Sequence, residues 1–529
     1  MNRSPRVIVA EPFAQSGLTV LQENGIQIAS CIGASRAELL AAVKDAHGLI
    51  VRSQTRVDAE LLKAADNLTV IGRAGVGVDA IDVTAATDAG IVVVNTPSAN
   101  TLAATELTFA LLLAVMRHIP RASLSAAGGL WERGSFVGHE LYGKTLGIVG
   151  LGRIGGSVAT RARAFEMEIL AADPFVSEGR AQAYGVTLVS LDELLERSDI
   201  VTLHVPLGVQ TSRFIDAGRI RKMKKGAVLV NCARGDVLDE DALLAALDEG
   251  LLGGAALDVV RQEPPEAQSS SARLLKHQKV VATPHLGGST HEALGRIAVD
   301  LARDVVNVLR GRPADGAVNA PAPSGVEASR IRPFVDVAHR LGRLFAQLDI
   351  DDVLPTIGFV LQGDIADVDG APLVSAFLSG LLQLATERRV SIVNADAIAS
   401  ELGIAVEVRR VASGGAFAAS IQVSRGQRTL TGTSLHDGPR IVEIDGYELD
   451  AIPAGSLILT QHWDVPGMIG RVGTILGDAQ INISTMQVSR RAEGGEAMMV
   501  LSVDRSADPT TLECLASIPG IIAVRPLTL

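Results

Sequence analysis

Cysteine is almost missing from this 529-residue sequence: Cys31, Cys232 and Cys514 are the only three, and they lie far apart without the spacing of metal ligands. That excludes a disulfide framework and makes a reducing, cytoplasmic setting the expectation, with no metal site. Aromatic residues reach only 3%, and nowhere do they interleave with a basic patch. With a net charge of −11, this disfavours a nucleic-acid partner. Although 47% of the residues are hydrophobic, no uncharged apolar run reaches the length of a bilayer span, so no membrane partner is expected. The opening MNRSPRVIVAEPF meets an acid after a short β-like run and does not read as a signal peptide. There is no internal repeat. A chain of this length is too long for one core and fits about three or four domains.

What is present centres on Lys144 to Pro174, KTLGIVGLGRIGGSVATRARAFEMEILAADP. Leu146 to Val149 read as a buried parallel strand. Gly150, Gly152 and Gly155 then form G-x-G-x-x-G, which permits a tight turn, close approach of a pyrophosphate and close packing of the next helix. That helix, expected from Ile154 to Phe165, aims its N-terminal amides where phosphates would lie. A lone glycine fingerprint is equally an ordinary strand-to-helix turn. Here a second apolar run, Glu168 to Ala172, ends in Asp173, about 20 residues past the glycines, where a carboxylate can bind ribose hydroxyls. A 2′-phosphate would meet a like charge there, so the cofactor expected is NAD rather than NADP.

The fold class expected is α/β. Residues 1–97 alternate short strands (Val7 to Ala10, Gly48 to Val51, Leu68 to Ile71) with helices near Gln15 to Asn24 and Ala37 to Ala46. Arg52-Ser53 follows one strand, and Arg73-Ala74-Gly75-Val76 follows another. Cations and amides thus meet at the carboxyl edge of a parallel sheet, where ligands of open α/β sheets bind; alone, either arginine could equally cap a surface loop. Residues 98–118 read as one long buried helix, and a short segment with Trp131, Arg133 and Phe136 follows. Strand–helix alternation then continues to Ala282 as a doubly wound sheet, and a helix from Gly288 to Arg310 returns to the first domain. Residues 311–327, rich in Pro, Gly and Ala, read as a linker. Beyond it comes a unit of helices (Pro333 to Leu348, Pro372 to Glu387) and strands, whose Arg409, Arg410, Arg425 and Arg428 read as a solvated face. The last 75 or so residues give strand and helix in the order βαββαβ.

Three residues follow strands of the nucleotide unit: Arg234 after VLVNCA, Glu263 after the strand ending at Asp258, and His285 after VVATP. A cation, an acid and an imidazole could converge there on a nicotinamide's substrate. Hydride transfer from a 2-hydroxy acid needs such a set. A histidine suits removal of the hydroxyl proton, an acid can orient it and favour the imidazolium, and a planar guanidinium can hold a carboxylate. His204, within a strand, reads instead as packed.

The segments GHELYGKTLGIVGLGRIG, NCARGDVLDEDAL, ALDVVRQEPP and TPHLGGST resemble those of the D-isomer-specific 2-hydroxyacid dehydrogenases over residues 1–318. The resemblance implies that Arg234, Glu263 and His285 are catalytic. It also implies that Arg153, Ile154, Asp173, Val205, Cys232, Ala233, Arg234 and Asp258 line the NAD site, with Val76, His285, Gly287 and Gly288 nearby. RAGVGVDAID and VRS resemble the branch that oxidises 3-phospho-D-glycerate to 3-phosphohydroxypyruvate, the first step of phosphorylated L-serine synthesis. Arg52, Ser53, Arg73 and Gly75 would then hold the substrate, joined by Arg133 of a second subunit. LTQHWDVPGMIGRVGTILGDAQINISTM resembles an ACT domain, the amino-acid-binding βαββαβ module, and the 125-residue insert before it resembles that branch's intervening domain. Serine is the effector implied, with His462, Asp464, Gly467 and Asn482 as its candidate residues, in a homo-oligomer, a tetramer. His462-Trp463-Asp464 departs from the His-x-Asn that serine-binding members often carry. The domains expected are a flavodoxin-like substrate domain (1–97 with 286–318), a Rossmann-type NAD domain (98–285), an α+β intervening domain (319–452) and the ACT domain (453–529). Two other readings stay open: a glyoxylate or hydroxypyruvate reductase, and a non-catalytic NAD-sensing protein of the same fold.

Overall fold

Short β-branched runs flanked by helices on both faces can bury every side chain only in a parallel sheet, and the computed structural model contains two such sheets. It describes residues 4–320, 326–348, 356–413, 415–436 and 438–529. The chain divides into two compact units, one of Met1–Pro12, Leu18–Asn95 and Leu301–Leu529, the other of Phe13–Gly17 and Thr96–Asp300.

In the first unit, β1 (Arg6–Val9), β2 (Gln27–Ser30), β3 (Gly48–Val51), β4 (Val70–Arg73) and β5 (Val92–Val94) form a parallel sheet ordered β2-β1-β3-β4-β5. The strand order reverses between β1 and β3, which is where such a sheet opens a crevice for ligands. Glycines let a helix lie on this sheet: a Cβ on Gly72 would stand 3.1 Å from Val305 and 3.3 Å from Leu301, both in the helix His291–Leu309. That helix begins three residues later than expected. The first part of the expected linker is not free chain. The Asp304 carboxylate accepts the amides of Asp315 (3.0 Å) and Gly316 (2.9 Å), and Ala317 bridges to Val94 of β5. Residues 321–325 lie outside the described residues, and the last two of the expected linker, 326 and 327, begin the helix Val326–Leu348 instead.

The second unit holds β6 (Thr145–Val149), β7 (Glu168–Ala172), β8 (Thr187–Leu188), β9 (Ile200–Leu203), β10 (Val228–Asn231), β11 (Gly254–Leu257) and β12 (Val280–Ala282). All are parallel, in the order β12-β11-β10-β9-β6-β7-β8, and the reversal falls between β6 and β9, beside the glycine-rich turn. Alternate residues serve opposite cores: Leu146 and Ile148 face one, Val149 and Leu203 the other. The long helix expected over 98–118 is shorter, Thr101–Met116. His118 takes a left-handed conformation (φ 52°) and Pro120 opens a second helix, Ile119–Ala127, bent from the first by 64°. Among the described residues no single helix is long and apolar enough to cross a membrane.

The remaining elements belong to the first unit. β13 (Thr356–Gly363), β14 (Ala405–Val411), β15 (Ala419–Arg425), β16 (Arg428–Leu435), β17 (Gly438–Ile444) and β18 (Tyr447–Ala451) form a mixed sheet ordered β14-β13-β15-β16-β17-β18. Helices Val326–Leu348 and Ala371–Leu382 cross at glycines: a Cβ on Gly342 would stand 2.0 Å from the Phe377 carbonyl, and one on Gly380 2.0 Å from the His339 carbonyl. No side chain fits at either point, so the two backbones touch. Phe345, Phe359 and Phe377 fill the core below, with ring centroids 5.6–6.0 Å apart. Two arginines read as solvated serve this core instead. Arg425 lies over the Phe345 ring, and Arg428 pairs with Asp445 and donates to the Leu348 carbonyl (3.1 Å). Arg409 and Arg410 are exposed.

The last sheet contains β19 (Ser456–Trp463), β20 (Ile483–Arg490), β21 (Glu496–Val503) and β22 (Ile521–Thr528), antiparallel in the order β20-β21-β19-β22. Helices Met468–Asp478 and Pro509–Ala516 complete βαββαβ. Met499 and Leu501 face those helices, whereas Met498 and Val500 join the phenylalanine core. Burial on both faces explains the unbroken apolar run AMMVL.

Candidate active site

The sequence-derived NAD residues gather at one edge of the second unit. The glycine turn follows β6, Asp173 follows β7, Val205 β9, Cys232 to Arg234 β10, Asp258 β11, and Gly287 and Gly288 β12. Val76 lies in the other unit, after β4. Each glycine of the turn has its own reason. Gly150 has φ 92°, and a Cβ there would meet the His204 carbonyl at 2.7 Å; one on Gly155 would stand 2.1 Å from the Gly150 carbonyl. Gly152 has no atom within 4 Å of its Cβ position, and no side chain caps the helix Arg153–Ala162 that it opens. An open cradle beside unclaimed helix amides fits a pyrophosphate. Asp173 is partly engaged within the turn, accepting the amides of Leu151 (2.8 Å) and Phe175 (2.9 Å). Burial pushes the Cys232 thiol up to about 12, so it stays protonated and serves as packing. His204 pairs its Nε2 with Thr202 Oγ1 (3.0 Å), and desolvation pushes it down to about 4.

Arg234, Glu263 and His285 follow β10, β11 and β12, three neighbouring strands, so topology brings together residues spread over 52 positions. His285 Nδ1 lies 2.7 Å from Glu263 Oε2. Burial would raise the Glu263 carboxyl. The hydrogen bond and charge of His285, the Val260 amide (3.2 Å) and the charge of Arg234 outweigh that and hold it below its ordinary value. The chain enters His285 in a left-handed conformation, φ 56°, an uncommon state for a residue with a side chain. Buried Asp258 holds it there, accepting Thr283 Oγ1 (2.6 Å), the Leu286 amide (2.7 Å) and the Gly287 amide (2.8 Å), while its own carbonyl accepts the His285 amide (2.8 Å). The sequence placed Asp258 only among the cofactor residues; this positioning contact is visible only in the fold.

In the first unit, Val51 and Arg73 are paired across β3 and β4, so Arg52 and Arg73 stand at neighbouring strand ends, one residue out of register. Arg73 donates to the Ala74 carbonyl (3.1 Å), and its guanidinium lies where a Cβ on Gly75 would be, 1.6 Å away. Gly75 (φ 137°) is therefore obligatory on two counts. One residue escaped the sequence reading. Glu11, buried after β1, accepts the amides of Arg52 (2.8 Å), Thr55 (2.9 Å) and Gln54 (3.3 Å), shaping the loop that carries Arg52 and Ser53. An acid directly after the strand RVIVA was the available signal. Burial would raise its carboxyl, but these amides and the Thr55 hydroxyl outweigh that and lower it. Arg133 is exposed in a short 3₁₀ turn, Arg133–Phe136, of the second unit.

At the C-terminal module, the Asp464 carboxylate is ion-paired with Arg490 (2.7 Å), chiefly through that hydrogen bond held below its ordinary value. His462 is buried against Thr460, with Nδ1 and Oγ1 3.3 Å apart. Gly467, φ 85°, opens the helix Met468–Asp478 without a side-chain cap. Asn482 precedes β20, its amide bonded to Asp504 (3.1 Å).

Donors for a pyrophosphate and a paired imidazole along one parallel-sheet edge are what hydride transfer to a nicotinamide requires, and the fold is that of an NAD-dependent dehydrogenase. Comparison with known proteins narrows this. The profile of the D-isomer specific 2-hydroxyacid dehydrogenase NAD binding domain matches residues 109–287, that of the D-3-phosphoglycerate dehydrogenase intervening domain 330–445, and that of the ACT domain 456–520. D-3-phosphoglycerate dehydrogenase of Bacillus subtilis is 41% identical, covering 99% of both chains, and that of Methanocaldococcus jannaschii 40%, covering 99% of this chain and 100% of its own. Among solved structures, the TT0316 protein of Thermus thermophilus is similar (TM-score 0.55, 38% identity, 59% of this chain and 99% of its own). So is a D-lactate dehydrogenase of Aquifex aeolicus complexed with NAD and lactic acid (TM-score 0.52, 29% identity, 58% and 96%). The chain belongs to the D-3-phosphoglycerate dehydrogenase family within the D-isomer specific 2-hydroxyacid dehydrogenases.

Proposed function

We propose that this protein oxidises 3-phospho-D-glycerate to 3-phosphohydroxypyruvate with NAD, the first step of phosphorylated L-serine synthesis. The observation that carries the reading is the 2.7 Å contact between His285 Nδ1 and Glu263, which leaves Nε2 as the basic nitrogen. NAD, when bound, supplies the acceptor for the hydride leaving C2. His285 Nε2 takes the hydroxyl proton in the same step, and Glu263, already ionised, stabilises the imidazolium that forms. Arg234 holds the substrate carboxylate with its planar fork. Arg52 and Arg73, with Ser53 and the Gly75 backbone, hold the phosphate, and Arg133 of a second copy adds a third cation.

In this reading Val76, Arg153, Ile154, Val205, Cys232, Ala233, Gly287 and Gly288 line the NAD site and Asp173 binds its ribose. The module at the C-terminus binds L-serine in a cytoplasmic tetramer, through the amides after Gly467 and through Asn482 reaching a neighbouring subunit. Asp464 takes the ammonium only by exchanging or sharing its Arg490 partner. NADH formation by the purified protein on phosphoglycerate, glycerate and lactate, with and without serine, tests the whole proposal. Turnover on phosphoglycerate, inhibition by millimolar serine and loss of that inhibition in Asn482→Ala are expected. Equal rates on all three acids would overturn the substrate assignment. Serine that neither slows turnover nor binds by calorimetry would overturn the regulatory one.

A further inference from the structure

Within the first unit, away from the arginines at the carboxyl ends of β3 and β4, lies a cavity of about 490 Å³, the size of a small-molecule site. Its wall comes from three parts of the chain: the amino ends of β4 and β5 (Thr69, Val92), the segment 308–320, and the intervening domain around the two crossing helices. Arg73 stands at the opposite end of β4 from Thr69. Four residues of strand, about 13 Å, separate the cavity from that edge.

Five guanidiniums line this space, those of Arg310, Arg312, Arg340, Arg343 and Arg389, against a single acidic side chain, Asp336. The whole sequence runs the other way, with 59 acids to 48 bases, so the local excess of cations is not a matter of composition. Asp336 already pairs with Arg340, one helical turn away (2.9 Å), and among the described residues that is the only ion pair any of the five makes. Arg343 donates to the Thr528 carbonyl (3.1 Å), and Arg389 reaches only the Asn67 carbonyl at 3.4 Å. Arg310 and Arg312 flank Gly311 just past the helix His291–Leu309, where the helix dipole accounts for a cation. It does not account for the other three. Desolvation lowers Arg389 with no carboxylate to offset it, and His339, bonded to Ser379 (2.9 Å), is lowered by burial and by Arg343. Repulsion among these groups is a standing cost that an anion would remove.

We infer that this cavity is a binding site for a small phosphorylated anion carrying at least two negative charges. Guanidiniums bind phosphate oxygens bidentately, and their spread around the wall suits charges at two points of one ligand. Val92, Val335, Ala376 and Ile392 offer apolar surface to a short carbon skeleton. The occupant joins the intervening domain to the first sheet, and so to the strands that carry Arg52 and Arg73.

The probe is inorganic pyrophosphate, titrated calorimetrically at constant ionic strength into the full-length Arg73→Gln protein, so that anion held at the β3–β4 edge contributes little. One saturable site per chain is expected. Adding Arg312→Gln and Arg389→Gln should weaken it at least tenfold. Asp336→Asn, which removes the one acidic side chain of the lining from an exposed position, should tighten it several-fold, and this variant decides if the arginine variants do not fold. No saturable heat in the Arg73→Gln protein, binding indifferent to Arg312 and Arg389, or no tightening in Asp336→Asn would each overturn the inference.

Discussion

β3 and β4 of the first parallel sheet run directly into Arg52 and Arg73, whereas β10, β11 and β12 of the second run into loops that carry Arg234, Glu263 and His285. Both sheets present their candidate site residues at their carboxyl edges. They differ in what holds those residues. In the first, one buried carboxylate, Glu11, gathers three backbone amides and so shapes the loop that carries Arg52. In the second, one buried carboxylate, Asp258, gathers a hydroxyl and two amides so that His285 sits in a left-handed turn against Glu263. The same device, an acid that satisfies loop amides, thus shapes the loop of a proposed phosphate-binding arginine in one place and that of the proposed proton acceptor in the other.

Removing the proposed proton acceptor separates the two edges most sharply. His285→Ala should lower kcat by about 10²-fold or more and leave NAD affinity, read by fluorescence titration, nearly unchanged. Turnover equal to the parent would remove His285 from the chemistry. Next in size, Arg52→Gln or Arg73→Gln should cost about 10- to 100-fold in kcat/KM on phosphoglycerate and far less on glycerate, because only one of the two substrates loses a charge-assisted hydrogen bond. A uniform loss would assign these arginines to the carboxylate or to the fold.

Glu11→Gln should act through KM, by about tenfold, with kcat spared, since it disturbs only the loop bearing Arg52 and Ser53. Its folded value lies below the ordinary 4.5, so its ionised form stabilises the native state fully at neutral pH. That contribution is lost as pH falls from about 4.5 through the folded value. Urea unfolding at pH 7 and pH 4 should thus show a difference between parent and variant that shrinks on acidification. The smallest effect belongs to Asp173→Ala, which should narrow the preference for NAD over NADP several-fold. An unchanged preference would mean that its bonds to Leu151 and Phe175 are its whole role.

Periodicity and glycine spacing were enough to place the strands and helices of the two parallel sheets, the βαββαβ order and the glycine turn after β6, because each such element is signalled by neighbours a few positions apart. Expected boundaries failed where a conformation outside the pattern intervened. His118 and Pro120 broke the helix expected over 98–118, and Asp304 bound the start of what composition read as a linker. Arg425 and Arg428 misled for a related reason. Composition counts a charge without saying whether Phe345 or Asp445 waits across the sheet.

The sequence by itself determined the elements, their order and the residue types that strand ends present, since local sterics and side-chain alternation act along the chain. Only the tertiary structure decided which strand ends are neighbours. It set β10, β11 and β12 side by side so that His285 meets Glu263, and it placed Glu11 under a loop 41 residues away. It also drew Arg310, Arg343 and Arg389 around one cavity. Contacts of that kind depend on burial and on crossing points such as Gly342 against Gly380, quantities that no window of sequence contains.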